Sequence, residues 1–281
     1  MGYKRIEITD DFMFSYAMRK DKICAAVIEC LIPGIKISRI EYKDSYEAGA
    51  QTEKTIRGAI DTRSIRLDVY LDDGTTVFNV EMQTGNKQNL PKRSRFYASR
   101  IDCDLLKPGE DYNRLKPTYI VFICTFDPFG RGNYRYSFER RCEEEKNLKL
   151  GDESYILFFN TSGEKGEIDE ELKKLLAYFD EPQEYPTEER TELIEKIEEI
   201  VETANQDAEW RREYMTFAQA QWDAKQEGLM IGRKEGRAEG RAEGKISALY
   251  ELVLDGTLTV GCAAEKAGMS EEDFIEKAKE I

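Results

Sequence analysis

The sequence predicts a mixed α/β fold, a central sheet with helices on both sides, followed by a helical C-terminal region. Three observations carry this. Residues 66–83 (RLDVYLDDGTTVFNVEMQ) alternate apolar and polar side chains around an Asp-Gly pair, the short-range signature of a β-hairpin. Residues 117–126 (PTYIVFICTF) and 154–160 (SYILFFN) are nearly all apolar, as strands buried on both faces are. Segments with helical spacing lie before and between these strands, so the order is helix, strands, hairpin, helix, strand.

Residues 8–35 (ITDDFMFSYAMRKDKICAAVIECLIPGI) predict one or two helices. Thr9 or Asp10 caps the first, Phe12/Tyr16 and Met13/Ala17 sit at helical spacing, and Pro33-Gly34 stops the second. Residues 35–46 and 65–83 predict strands, separated by a loop rich in Thr, Glu and Gly. Residues 91–106 (PKRSRFYASRIDCDLL) predict a helix with proline in its first turn. Arg93, Tyr97 and Arg100 share one face of it, leaving Phe96, Ile101, Cys103 and Leu105 elsewhere for burial.

Beyond residue 160 the chain is charged and amphipathic. Leu193, Ile197, Ile200 and Val201 form an apolar stripe, continued by Trp210, Tyr214, Phe217 and Trp222; core or partner packing is the reading favoured over a ligand role. Glycine then recurs every four residues at 228, 232, 236, 240 and 244. Each costs about 1 kcal/mol of helix propensity relative to alanine, so the repeat is a weak helix or a flexible hinge, and the hinge is favoured. Residues 246–281 predict a small three-helix module resembling a helix-turn-helix, in which Ser270 caps a last helix opening with Glu271, Glu272 and Asp273. Those acids repel phosphate, so a protein-interaction role or a structural cap is at least as good a reading as DNA recognition. The expected organisation is a core domain at 1–180, a charged helical region at 181–227, a glycine hinge at 228–245 and the terminal module at 246–281.

Composition narrows the chemistry. The chain has no histidine, which excludes His-assisted nucleophiles, HExxH hydrolases and imidazole acid–base catalysis. Its six cysteines (24, 30, 103, 124, 142, 262) form no Cys-x-x-Cys pair; most lie in apolar contexts and predict small core residues rather than zinc ligands. With no secretory leader and no apolar run of about 18 residues, a reduced, cytoplasmic protein without membrane contact is expected. Residues 1–160 carry 26 Lys+Arg against 25 Asp+Glu, and residues 161–281 carry 16 against 31. The acidity therefore belongs to the tail, and the half holding the hairpin is neutral with a local basic cluster, compatible with an anionic partner.

The hairpin holds the candidate site. With Asp73-Gly74 as a two-residue loop, Asp72 pairs with Thr75, Asp68 lies opposite Asn79 and Arg66 opposite Glu81. Arg66, Asp68 and Tyr70 then share a face with Asn79, Glu81 and Gln83, and Leu67, Val69, Leu71, Phe78, Val80 and Met82 share the other. Two carboxylates on diagonal neighbours are within reach of one hard divalent cation. The plainer alternative is a polar face turned to water.

These residues carry a resemblance. TDDFMF at the start, LDVYLDDGTTVFNVEMQ in the hairpin, NLPKRSRFYASRIDCDLLKPGEDYNRLKPTYIVFI after it, EWRREYM and the glycine repeat together resemble the PD-(D/E)XK superfamily of metal-dependent nucleases, in particular its recombination-promoting nuclease and transposase branch, over about residues 8–230. The resemblance implies a restriction-endonuclease-like fold and Mg²⁺-dependent (or Mn²⁺- or Ca²⁺-dependent) DNA endonuclease activity in recombination or mobile-element function. It implies Asp68, Glu81 and the Met82 carbonyl as metal ligands, with Gln83 where the wider superfamily usually has lysine. A neutral amide only orients water or phosphate by hydrogen bonds, so the ion or a nearby arginine must do more. Asp11 matches the acid often supplied by the first helix, with Asp10 second, and Ser15 replaces a lysine common in relatives. Lys92, Arg93, Arg95, Tyr97 and Arg100 are the implied DNA contacts, Tyr97 by stacking or by bonding phosphate. The competing readings are a catalytically inactive DNA-binding protein retaining the fold, and an assembly module forming homo-oligomers through its C-terminal helices.

Overall fold

A computed structural model describes residues 4–37, 54–56 and 65–280 of the chain. Helix α1 (Asp11–Met18) starts where Asp10 Oδ1 accepts the N–H groups of Phe12 and Met13 at 3.0 and 3.3 Å, so Asp10 rather than Thr9 is the cap. Helix α2 (Asp21–Leu31) stops before Pro33-Gly34, with Gly34 at φ +90°. Residues 35–37 form no strand, and the rest of the strand expected over 35–46 lies outside the described residues. Inside the segment expected to be a loop, β1 (Lys54–Ile56) pairs antiparallel with β2 (Ile65–Leu67).

The predicted strand over 65–72 is broken at Asp68. β2 pairs with β1, whereas β3 (Val69–Asp72) pairs antiparallel with β4 (Val77–Gln83), so the chain changes sheets at that residue. Asp72 is partnered by Val77 rather than Thr75, and the turn is four residues long. Its geometry comes from two aspartates. Asp72 Oδ1 accepts the Gly74 N–H at 2.9 Å, and Asp73 Oδ1 accepts Thr75 N–H, Thr76 N–H and Thr75 Oγ1 at 2.9, 2.7 and 2.8 Å. The register thus differs from the expected one by two residues, and an even shift leaves the side chains of β3 and β4 on their predicted faces.

Helix α3 (Leu90–Leu105) crosses from β4 to the parallel strand β5 (Thr118–Cys124). β7 (Ser154–Asn160) lies parallel on the other side of β5 and pairs antiparallel with β6 (Arg135–Phe138), giving the order β3-β4-β5-β7-β6. β6 is a short edge strand with largely exposed side chains, which left no periodic apolar signal to predict it. Both faces of the sheet are buried. On one, α3 packs Leu90, Tyr97, Ala98 and Ile101 against Tyr70, Val77, Ile120, Phe122 and Phe158. The helix is rotated from the expected orientation: Tyr97 is buried, whereas Phe96 and Cys103 are exposed. On the other, Leu71, Phe78, Val80, Met82, Val121, Ile123 and Phe159 are buried.

Helix α4 (Glu170–Asp180) and helix α5 (Glu192–Gln206) complete the first of two compact units, Met1–Arg211. α5 buries Leu193, Ile194, Ile197 and Val201 and packs on α1 and α2, so it is part of this unit rather than of a separate region beginning at 181. Glu198 on the same face is buried with Arg5, Arg190 and the Tyr178 hydroxyl as partners. Of the cysteines only Cys24 and Cys124 are buried; the other four are at least partly accessible.

Helix α6 (Ala208–Leu254) includes the glycine repeat, so those residues are helical rather than a break in the chain. Apart from the chain neighbours and the helix's own backbone, no described atom lies within 4 Å of a Cβ placed on any of the five glycines. In the second unit, Arg212–Ile281, the end of α6 packs with α7 (Val260–Ala267) and α8 (Glu271–Glu280) around Ile246, Ala263, Ala264 and Phe274. Thr259 caps α7, Gly268 ends it at φ +80°, and Ser270 Oγ accepts the Asp273 N–H at 3.1 Å. No described helix is long and apolar enough to cross a membrane.

Replacing Asp73 with Ala removes three accepted hydrogen bonds from an exposed turn and is expected to lower stability by about 1–2 kcal/mol, read from urea unfolding; a change of only a few tenths would show that the turn does not need them. In the repeat, Gly236→Ala with Gly240→Ala meets no steric obstacle and should raise local helix stability by about 2 kcal/mol. Hydrogen exchange across 228–245 should slow accordingly from a rate faster than that of β5, and protection already equal to β5 in the parent would end the hinge idea.

Candidate active site

The chain's change of sheets at Asp68 creates the site. Leaving one ladder and entering another frees the backbone groups of Asp68, and side chains take them: its N–H donates to Glu81 Oε1 at 3.3 Å and its carbonyl accepts from Ser15 Oγ at 3.1 Å. Continuing the observed register by one residue sets Asp68 directly opposite Glu81 instead of Asn79. Ser15 brings α1 to this point, and Asp11, exposed one turn earlier, is on the same face of that helix. Asp10 is committed to capping.

Glu81 is fully buried near the carboxyl end of β4, beneath α3. Its carboxylate accepts the Asp68 N–H and the Asn79 side-chain amide on Oε1, the latter at 3.3 Å, and pairs with the Arg93 guanidinium through Oε2. Arg93 is held by several partners. Nη1 donates to Gln83 Oε1 at 2.9 Å, Nε donates to the Tyr97 hydroxyl at 2.8 Å, and the guanidinium carbon lies 5.2 and 5.4 Å from the ring centres of Tyr97 and Phe122. Gln83 turns its other end inward, Nε2 donating to the Met82 carbonyl at 2.7 Å.

Burial pushes the Glu81 carboxyl up, and Arg93, the Asp68 N–H and Asn79 pull it back. Burial works against the charge on Arg93, but Glu81 and Tyr97 more than offset it and hold the guanidinium charged. Burial, then Glu81, push the Tyr97 phenol up to about 12 against the opposing pull of Arg93, with Asp68 adding to the rise.

The structure therefore brings together Asp68, Glu81, Met82, Gln83, Arg93 and Tyr97. Tyr97 is buried, its ring stacked on Phe122 at 6.5 Å, and is not available to stack on a base. Lys92 and Arg95 are exposed and Arg100 is half-buried on the same helix. Two participants were not anticipated in these roles: Asn79, legible as a polar residue two positions from Glu81 on one face, and Ser15, a polar residue on an otherwise buried stretch of α1.

No group of three or more His, Cys, Asp and Glu side chains able to hold a metal lies among the described residues. A divalent cation here would rest on two carboxylates and a main-chain carbonyl, an all-oxygen set that suits Mg²⁺, which keeps several waters of its own. A further oxygen stands near: Asn79 Oδ1 is buried without a hydrogen-bond partner while its amide nitrogen bonds Glu81. The donor set fits the ion, with the reservation built into the geometry that Arg93 and Gln83 already occupy Glu81 Oε2 and the Met82 carbonyl.

The profile of the PD-(D/E)XK nuclease family transposases matches residues 11–228, most of the chain, and the protein belongs to that family. The fold is the restriction-endonuclease-like α/β type, and nucleases of this kind generally use divalent metal ions. Among curated proteins and among solved structures, nothing matches the chain.

Tyr97→Phe keeps the stacked ring but removes the acceptor for Arg93 Nε, and should cost about 1 kcal/mol in urea unfolding without altering the far-ultraviolet spectrum. No measurable loss would mean that the hydroxyl does not help to hold the guanidinium.

Proposed function

We propose that the protein is a divalent-metal-dependent DNA endonuclease that hydrolyses phosphodiester bonds, serving recombination or mobile-element activity. The observation that carries this reading is the meeting of Asp68 and Glu81 where the chain changes sheets, with the Asp68 N–H donated to the Glu81 carboxylate. Asp68, Glu81 and the Met82 carbonyl would hold the cation, Mg²⁺ in the first instance or Mn²⁺ or Ca²⁺. The ion supplies an activated water and neutralises charge on the phosphate. Gln83, once its amide leaves the Met82 carbonyl, orients a water or a phosphate oxygen through its two N–H groups. Asp11 stands one helical turn from Ser15 and would add a carboxylate from α1.

The DNA backbone lies along α3. Lys92 and Arg95 are exposed there and Arg100 is partly so, and each neutralises phosphate without reading sequence. Phe96, exposed beside Arg95, takes the stacking role expected of Tyr97. A second reading has its own support: both oxygens of Glu81 are engaged by protein donors, and Gln83 stands where lysine is usual, the description of an inactive nuclease fold retained for DNA binding or assembly through the C-terminal helices.

Supercoiled plasmid incubated with the full chain separates the two. Nicking is expected with Mg²⁺ or Mn²⁺, none with chelator, and loss of at least 100-fold, roughly one missing electrostatic contributor, in Asp68→Ala and in Glu81→Ala. Plasmid retarded in a gel but never nicked under any ion would favour the inactive reading, and full activity in either variant would move the chemistry elsewhere.

A further inference from the structure

We propose that Arg93 is a resident counter-ion that keeps the cation position of the site filled in the unloaded protein and passes to a phosphate when cation and DNA bind, so that the two ligands bind cooperatively. The inference rests on the metal-site reading above and deepens it.

The argument starts from charge. Glu81 has no access to solvent, so its carboxyl, whenever it is ionised, needs a positive charge beside it. The guanidinium matches it here and at the same time holds Gln83, whose amide covers the Met82 carbonyl. One side chain thereby engages, directly or through Gln83, two of the three oxygens that a cation would use. A cation and Arg93 cannot both hold Glu81 Oε2 at contact distance, because each would place its positive charge at the same lone pairs.

Displacement has a direction. Arg93 lies in the first turn of α3, and about a quarter of its side chain is accessible. It is flanked by exposed Lys92 and Arg95, the side on which a polyanion would approach. Without DNA, expelling the guanidinium leaves it with water in place of a carboxylate, an amide oxygen, a hydroxyl and two aromatic faces. With DNA, a phosphate offers the same bidentate acceptor that Glu81 offered. The cation is therefore held weakly by the protein alone and more tightly by the protein–DNA complex. By linkage, the cation must tighten DNA binding by the same factor.

The test is Mn²⁺ binding to the full chain, counted from the spectrum of free Mn²⁺ by electron paramagnetic resonance, with and without a duplex carrying non-cleavable phosphorothioate linkages. For the parent, the duplex should tighten Mn²⁺ about tenfold, within the usual range of coupling between sites. In Arg93→Met, which keeps the apolar stem against Tyr97 and Phe122, Mn²⁺ should bind about tenfold more tightly than to the parent without DNA, and the duplex should no longer help. If Arg93→Met does not fold, Arg93→Lys, with one ammonium in place of the fork, should show a smaller gain of the same sign. Mn²⁺ affinity that is unchanged or weaker in the folded variant, or a parent indifferent to DNA, overturns the exchange while leaving the metal site standing. No Mn²⁺ binding by parent or variant in any condition removes the metal-site reading and the exchange with it.

Discussion

Burying the Glu81 carboxylate between a sheet and a helix costs several kcal/mol unless donors reach it, and much of the surrounding structure is arranged as those donors. Asn79 is two residues away on the same strand face, Asp68 contributes an N–H that no ladder uses, and α3 delivers Arg93. The rotation of α3 follows from this. With Arg93 turned down onto Glu81, Tyr97 one turn later must also face the sheet, and its ring enters the stack with Phe122 and Phe158. Phe96 is then left outside, although its apolar side chain would ordinarily favour burial. An electrostatic requirement at one residue has overridden the hydrophobic preference of another.

Connectivity explains why the guanidinium comes from α3. Parallel neighbours β4 and β5 need a crossover, and the helix that makes it must lie over one face of the sheet. It starts seven residues after Gln83, so its first turn returns over the end of β4, where Glu81, Met82 and Gln83 stand. The opposite face buries Val80 and Met82 with Leu71, Phe78, Val121, Ile123 and Phe159. The same geometry puts the site at the carboxyl ends of the parallel strands, the usual position for ligand sites in α/β sheets.

The parts of this site that could be read from sequence are those that depend on parity. Tyr70, Asn79, Glu81 and Gln83 were expected on one face, and they remain so although the turn is two residues longer than expected, because parity survives an even shift. The buried strands β5 and β7 were legible from composition, and the caps at Asp10 and Ser270 from side-chain chemistry. What could not be read was decided by tertiary structure. β1 is three residues long and needs β2 to exist, β6 is an exposed edge, and the break at Asp68 depends on Ser15 and Glu81 reaching its backbone from 53 and 13 residues away. The two-residue turn was the better local rule, and the acceptor groups of Asp72 and Asp73 outweighed it.

The remaining question is how a site with glutamine at its third position supplies positive charge. A lysine there would carry its charge on the same strand as Glu81 and could not move far from it. Here the charge stands on a helix and is joined to the strand through Gln83, whose carbonyl oxygen accepts from Arg93 while its amide nitrogen rests on the Met82 carbonyl. Glutamine has both a donor and an acceptor, so it can couple the guanidinium to the Met82 carbonyl, which lysine, a donor only, cannot. Seen this way, Gln83 and Arg93 are one functional unit divided between two elements. The strand's glutamine and the arginine in the first turn of α3 hold each other in place, and neither side chain's position can be interpreted without the other.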